Sequence, residues 1–185
     1  PGSGKTMLAR ALPGILPQLN EEESLEVTKI YSIAGKIPAG GSLVRIRPFR
    51  TPHHTVSPVG LIGGGTKPQP GEVTLAHRGV LFLDEFSEFP RSVLEALRQP
   101  VEDGHIAISR SKDRVSYPSR FMLVASANPC PCGYLYSRAK PCACTPREIQ
   151  KYQKRVSGPL LDRIDLHVEV PEVDIKELST VSIPV

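Results

Sequence analysis

The chain has 185 residues, with 23 Lys and Arg against 19 Asp and Glu for a formal net charge of +4, and its residues are 39% hydrophobic but only 5% aromatic, with no Trp. A single domain of this length buries roughly 70% of its unfolded surface, so it needs no disulfide scaffold, and its core has to be aliphatic. No apolar run approaches the roughly 18 residues of a membrane span, no basic-then-apolar leader opens the sequence, and four Cys in two close pairs are too few for a secreted framework, so a cytoplasmic globular domain is expected.

The chain opens on Pro1-Gly2-Ser3-Gly4-Lys5-Thr6, the second half of the phosphate-loop pattern G-x-x-x-x-G-K-[ST]. The first Gly of that pattern and the strand feeding it are expected upstream of Pro1. Gly2, Ser3, Gly4 and Lys5 can turn successive backbone N–H groups toward phosphate oxygens, at the positive end of the helix that starts near Lys5. Lys5 can reach the β- and γ-phosphates of a nucleotide, and the Thr6 hydroxyl can ligate Mg²⁺. That helix is expected to stop at Pro13-Gly14. Asn20 with Glu23 forms a capping pair for a helix from about Glu21 to Ala34, with Val27, Ile30, Tyr31 and Ala34 on one face and Gly35 as its C-terminal cap.

Residues 36–79 read as loop-rich, punctuated by Pro38, Pro48, Pro52, Pro58 and Gly63-Gly64-Gly65. Arg45, Arg47, Arg50, His53 and His54 cluster there. Adjacent histidines share no helix face and no carboxylate lies near them in sequence, so a structural or substrate-contact role is favoured over metal binding.

Val80-Leu81-Phe82-Leu83-Asp84-Glu85 is a buried-strand run ending in two carboxylates. A parallel strand would deliver Asp84 to the C-terminal edge of the sheet, where open α/β folds bind ligands. Asp84 would hold Mg²⁺ and Glu85 would polarise an attacking water as general base, although the pair could also cap the following turn. The phosphate loop about 80 residues upstream decides for nucleotide hydrolysis. A helix is expected over Pro90 to Gln99, a β-hairpin over Ile106 to Tyr117, and a second buried strand over Phe121 to Ala127. Asn128 then either holds the attacking water or forms the turn before Pro129. Ile149 to Val156 reads as helix and Leu166 to Val170 as a last strand. Arg163, among carboxylates in Leu160 to Asp165, is either a helix-end salt bridge or an arginine finger. Strands alternating with helices give an α/β fold with a mostly parallel sheet.

Charge is unevenly spread. Residues 1–103 carry 11 basic and 11 acidic side chains, residues 104–155 carry 10 basic against Asp113 and Glu148, and residues 156–185 carry 2 basic against 6 acidic. The basic middle fits a polyanion, a charge-matched neighbouring copy, or a solvated face. Cys130-x-Cys132 and Cys142-x-Cys144 could make a closed Zn²⁺ site, although the C-x-C spacing is not the usual knuckle; reduced thiols or a redox pair are the alternatives.

The order of these motifs resembles the AAA+ ATPases, within them the magnesium-chelatase-like group, and most closely its YifB/ComM branch. The resemblance is carried by Gly2 to Thr6, Arg47 to His54, Gly63-Gly64-Gly65, Val80 to Phe86, Asn128 to Gly133 and Leu160 to Asp165, and it runs from Pro1 to about Glu177. It implies a P-loop NTPase core of three α/β/α layers with β-hairpin insertions over residues 1–178, residues 179–185 leading toward a helical lid. It also implies a hexameric ring with ATP at subunit interfaces. In that ring Lys5, Thr6, Asp84 and Glu85 act in one subunit, Asn128 is the first sensor, and Arg163 is the finger given to the next. Residues 36–79 would be an insertion. Arg110, Lys112 and Arg114 of the hairpin would line the pore and touch DNA phosphates without reading sequence. The ComM branch implies a DNA motor for branch migration. The broader group implies a chelatase-type motor remodelling a protein partner, and a nucleotide-binding module without turnover is the third reading.

Overall fold

A computed structural model of the chain describes residues 4–37, 40–65, 68–109, 114–137, 140–156 and 160–171. Helices α1 (Lys5–Ile15) and α2 (Glu21–Ile33) lead into strand β1 (Phe49–Arg50). Then come α3 (Pro58–Ile62), β2 (Gly63–Gly64), β3 (Gln69–Pro70), α4 (Glu72–Leu75) and β4 (Val80–Leu83). A 3₁₀ turn at Phe86–Glu88 is followed by α5 (Arg91–Ala96), α6 (Arg98–Asp103), β5 (His105–Ser109), β6 (Arg114–Pro118) and β7 (Met122–Ala125). Helix α7 (Pro146–Val156) and a 3₁₀ turn at Leu161–Arg163 complete the described elements.

The central sheet has the order β1-β4-β7 and is parallel throughout, with Phe49 opposite Val80 and Leu83 opposite Ala125. All four residues of β4 are buried, because both of its faces are covered. On one face Leu81 and Leu83 join Leu61 of α3, Val73 of α4, Phe86, Val93 of α5 and Leu97 in the main core. On the other face Phe82 stacks on Phe49, ring centroids 6.0 Å apart, and borders a cavity shared with Leu8, Ala9 and Leu12 of α1. The two-residue strands β2 and β3 form a small antiparallel ladder, and β5 and β6 form the expected hairpin, with Ile108 opposite Val115.

Several expectations are corrected. Helix α1 continues through Pro13 to Ile15. A proline this close to a helix end removes a single amide bond, to the Ala9 carbonyl, and the turn still closes through Leu16 N–H to Leu12 O at 3.3 Å. The span 36–79 is not wholly an inserted loop, because Phe49–Arg50 is a strand of the central sheet and α4 contributes Val73 to the core. The helix expected over 90–99 is two short helices, the second running through Pro100 to Asp103. Leu166 to Val170 is not a strand. Its alternating apolar residues have no ladder partner among the described residues, and Leu166 and Val168 are 82% and 80% exposed.

Helix α2 carries the predicted capping box: Glu23 N–H donates to Asn20 Oδ1 at 2.8 Å and Asn20 N–H to Glu23 Oε2 at 3.3 Å. Glu23 also receives Arg47, whose guanidinium donates to the carbonyls of Pro17 at 2.5 Å and Arg78 at 2.6 Å. Arg50 is bidentate on Glu72, at 2.6 and 2.8 Å. Arg47 and Arg50 are thus ties between β1 and its neighbours, and geometry of this kind is among the stronger charge-assisted hydrogen bonding a fold can use. Gly79, just before β4, lies so close to Pro48 that a Cβ there would fall 2.0 Å from the Pro48 carbonyl oxygen.

Candidate nucleotide site

The parallel register delivers the chemistry to one sheet edge. Because Leu83 pairs with Ala125, the next residues, Asp84 and Ser126, leave the ends of β4 and β7 side by side. Ser126 Oγ donates to Asp84 Oδ1 at 2.5 Å. From the first turn of α1, Thr6 Oγ1 donates to Asp84 Oδ2 at 2.7 Å, and Lys5 Nζ donates to Asn128 Oδ1 at 3.2 Å. The structure therefore gathers Lys5, Thr6, Asp84 and Asn128 from three separate parts of the sequence.

Glu85 follows directly, exposed, with φ 52° and ψ 51°. This left-handed conformation is uncommon for a non-glycine residue and is held by the Glu85 N–H, which donates to Asp84 Oδ1 at 3.1 Å and to Ser126 Oγ at 3.3 Å. Gly4, at the N-cap of α1, is also left-handed at φ 72°, and nothing lies within 4 Å of where its Cβ would be. The open space over Gly4 lets a ligand approach the backbone at the start of the helix.

Burial pushes the Asp84 carboxyl up, but the hydroxyls of Ser126 and Thr6, the Glu85 N–H and the charge of Lys5 outweigh it and hold the carboxyl below its ordinary value. Asp84 is ionised at neutral pH. Its carboxylate beside the Thr6 hydroxyl is a pair of hard oxygen donors, the donor set that suits Mg²⁺, so these residues fit the ion.

Arg163 forms an ion pair with Glu102 at the end of α6 and borders the same cavity as Lys5, about 1040 Å³ in volume. Among the other predicted residues, Gly2, Ser3, Arg110 and Lys112 lie outside the described residues. Arg114 opens β6, and its side chain also lies outside the description. His53 and His54 pack against one another with ring centroids 4.0 Å apart and planes tilted by 35°, His53 Nδ1 lying 2.8 Å from Thr55 Oγ1, and they belong to no cluster of metal-ligating side chains among the described residues. Arg45 is exposed. The four cysteines converge, their sulfur atoms all within 4.8 Å of one another.

Two participants escaped the sequence reading. Ser126 was hidden as a small polar residue at a strand end, and only the register with Asp84 singles it out. Glu102 was one of two adjacent acidic residues at the end of α6, and its partner Arg163 lies 61 positions further along the chain.

A parallel sheet flanked by helices, with a lysine and threonine at the start of α1 facing an Asp-Glu pair at the end of the central strand, defines an α/β P-loop fold of the AAA+ type. The chain belongs to the family described as magnesium chelatase, subunit ChlI, whose model matches residues 1–178. It is 48% identical over 171 residues to the uncharacterized protein YifB of Escherichia coli K12, covering 92% of this chain and 33% of that protein. The same identity and coverage relate it to the competence protein ComM of Haemophilus influenzae. The magnesium-chelatase 38 kDa subunit of Rhodobacter capsulatus is more distant, 27% identical over 144 residues, covering 69% of this chain and 41% of that one. Among solved structures, the complex between subunits BchI and BchD of magnesium chelatase shares the fold, with a TM-score of 0.55 at 20% identity over 89% of this chain and 59% of that one. The chain spans about a third of the length of the YifB and ComM relatives it matches. Among the described residues no helix is long and apolar enough to cross a membrane.

Proposed function

We propose that this chain is the ATP-binding and ATP-hydrolysing core of a YifB/ComM-like motor that assembles as a hexameric ring and acts on DNA. The observation that carries the reading is the convergence of Lys5, Thr6, Asp84 and Asn128, with Glu85 beside them, at the start of α1.

Each residue then has a task. The backbone of Gly2 to Lys5 and the N-terminus of α1 bind the phosphates, and the Lys5 ammonium binds the β- and γ-phosphate oxygens. Thr6 and Asp84 would hold Mg²⁺, which would neutralise phosphate charge when bound. Asn128, at the distance of a hydrogen bond from Lys5, orients a water in line with the γ-phosphorus, and Glu85 accepts its proton as the bond to the leaving ADP oxygen breaks. Arg163, paired with Glu102 within its own chain, serves a neighbour's nucleotide when copies assemble.

DNA as substrate rests on the relation to ComM and on the excess of basic residues in 104–155, among them Arg110, Lys112 and Arg114 in the sequence between and opening the paired strands β5 and β6. The chelatase-type reading, a motor working on a protein partner, rests on the shared fold of the BchI–BchD complex. The test is the ATPase rate of the full-length protein with and without single-stranded or branched DNA at two salt concentrations. DNA stimulation that fades with salt supports the DNA motor, since each phosphate contact releases counterions. Turnover indifferent to DNA moves the reading to a protein partner, and ATP binding without turnover overturns the motor.

A further inference from the structure

Cys130, Cys132, Cys142 and Cys144 lie outside the nucleotide machinery. Their sulfur atoms are 3.4 Å apart for Cys130 and Cys132, 3.7 Å for Cys130 and Cys142, and 3.5 Å for Cys132 and Cys142, and all four fall within 4.8 Å of one another. No pair is a disulfide, and all four are free thiols. A redox pair would bring two sulfurs together and leave the others indifferent. Here every sulfur is close to every other, which two independent thiol pairs would not produce.

The spacing is that of ligands around one ion. Four thiolates at about 2.3 Å from a central zinc, at tetrahedral angles, stand about 3.8 Å from one another. An iron–sulfur cluster shares its four cysteines among more than one iron, so it needs sulfurs spread more widely than these. Tetrahedral all-sulfur coordination around a single ion fits zinc, and four protein ligands leave no open position, the mark of a structural rather than a catalytic site.

The chain turns tightly at the cysteines. Gly133, left-handed at φ 80°, turns the chain after Cys132, and its N–H donates to the Cys130 carbonyl at 3.0 Å. Lys140, 4.8 Å over the Tyr134 ring, brings positive charge to the same loop. The first cysteine comes two residues after Asn128. The last comes one residue before Thr145, whose hydroxyl caps α7 by accepting from Glu148 N–H at 3.3 Å. Helix α7 in turn meets the turn after Glu85, where Ser87 Oγ donates to Tyr152 Oη at 2.6 Å.

We propose that Cys130, Cys132, Cys142 and Cys144 hold one structural zinc ion that joins the end of the β7 segment to the start of α7. The site stands on its own geometry and does not depend on what the nucleotide site does.

The test uses the full-length protein purified without added metal. Expected are one zinc per chain by elemental analysis, and release of that zinc in step with the titration of four thiols by an organomercurial. Exchange into Co²⁺ should give the visible absorption of tetrahedral thiolate cobalt. Cys144→Ser should weaken zinc retention roughly tenfold or more against a competing chelator, while the double variant His53→Ala, His54→Ala retains the metal. Protein that carries no zinc and takes up neither zinc nor cobalt would overturn the proposal. So would iron in place of zinc, or full zinc content after Cys130→Ser and Cys144→Ser are combined. The organomercurial titration is made on the unaltered chain, so a variant that fails to fold does not blunt the result.

Discussion

Thr6 and Asp84 are 78 positions apart in sequence, yet the Thr6 hydroxyl donates to the Asp84 carboxylate at 2.7 Å. That contact fixes α1 against the end of the central strand and places a hydroxyl and a carboxylate oxygen where one small cation can take both. Thr6→Val keeps the branched shape and removes the oxygen. The Mg²⁺ concentration giving half-maximal ATP turnover is expected to rise roughly tenfold or more, with stability changed by no more than about 1 kcal/mol. A Mg²⁺ titration of turnover with a parallel unfolding curve checks this, and an unchanged Mg²⁺ requirement would place the ion elsewhere.

Ser126 acts through Asp84. Its hydroxyl is the first of the hydrogen bonds that offset burial and keep the Asp84 carboxyl below the ordinary 3.8. A carboxyl depressed on folding contributes stability above its unfolded value, and the contribution is lost as pH falls through the folded one. Ser126→Ala should therefore move the acid limb of the ATPase pH profile upward, and kcat should fall more than KM rises. If the acid limb stays in place, Ser126 is not what keeps Asp84 ionised.

The junction of α2 with the segment before β4 has its own acid sensitivity. His77 is buried and neutral, its Nε2 donating to Glu26 at 3.0 Å and its Nδ1 accepting from Arg120 N–H at 3.1 Å. Burial lowers its value from 6.5, so below about that pH the unfolded chain takes up a proton that the folded chain refuses. The hydrogen bond from Arg78, supported by His77, holds the half-exposed Glu26 down to about 2 against an ordinary 4.5. Both signs agree: stability is full above pH 6.5, declines first through His77, and declines again below 4.5 as Glu26 protonates. Denaturant unfolding across that range should show the decline, and Glu26→Gln should flatten its lower part. A midpoint independent of pH between 7 and 4 would contradict the assignment, those limits being about half a unit outside the two ordinary values.

Gly79 is required by a crossing of backbones. With the Pro48 carbonyl oxygen 2.0 Å from any Cβ placed there, Gly79→Ala has to push β1 away from β4. The expected loss is about 2 kcal/mol or more, since overpacking against backbone has no side chain to yield. A denaturation midpoint equal to that of the unaltered protein would show that the crossing can relax.

What the sequence disclosed follows from how local each signal is. The apolar run ending in Asp84-Glu85, the Asn20–Glu23 capping box and the paired strands over Ile106 to Tyr117 are contiguous patterns, and each was legible. The short strand Phe49–Arg50 was not, because two residues between Pro48 and the Thr51-Pro52 pair have no periodicity, and only pairing with β4 makes them a strand. Leu166 to Val170 misled in the opposite sense, since alternation predicts a strand but cannot supply its hydrogen-bonding partner. Pro13 was read as a stop, although a proline near a helix end breaks little. Ser126 and Glu102 matter only through a partner far away in sequence, which no local pattern encodes. The cysteine pairs were visible in sequence with a four-sulfur site as one reading among three, and only the spacing of the four sulfurs singles that reading out.

The central claim is that Glu85 drives hydrolysis at a site where Lys5 and the backbone of the loop bind ATP. The most direct test compares steady-state ATP turnover and equilibrium ATP binding for the full-length protein and its Glu85→Gln variant. The account predicts that the variant binds ATP as tightly as the parent and loses turnover by roughly 10²- to 10⁴-fold, the range a general base supplies. Turnover in Glu85→Gln close to that of the parent, or a parent that binds ATP without hydrolysing it, would contradict it.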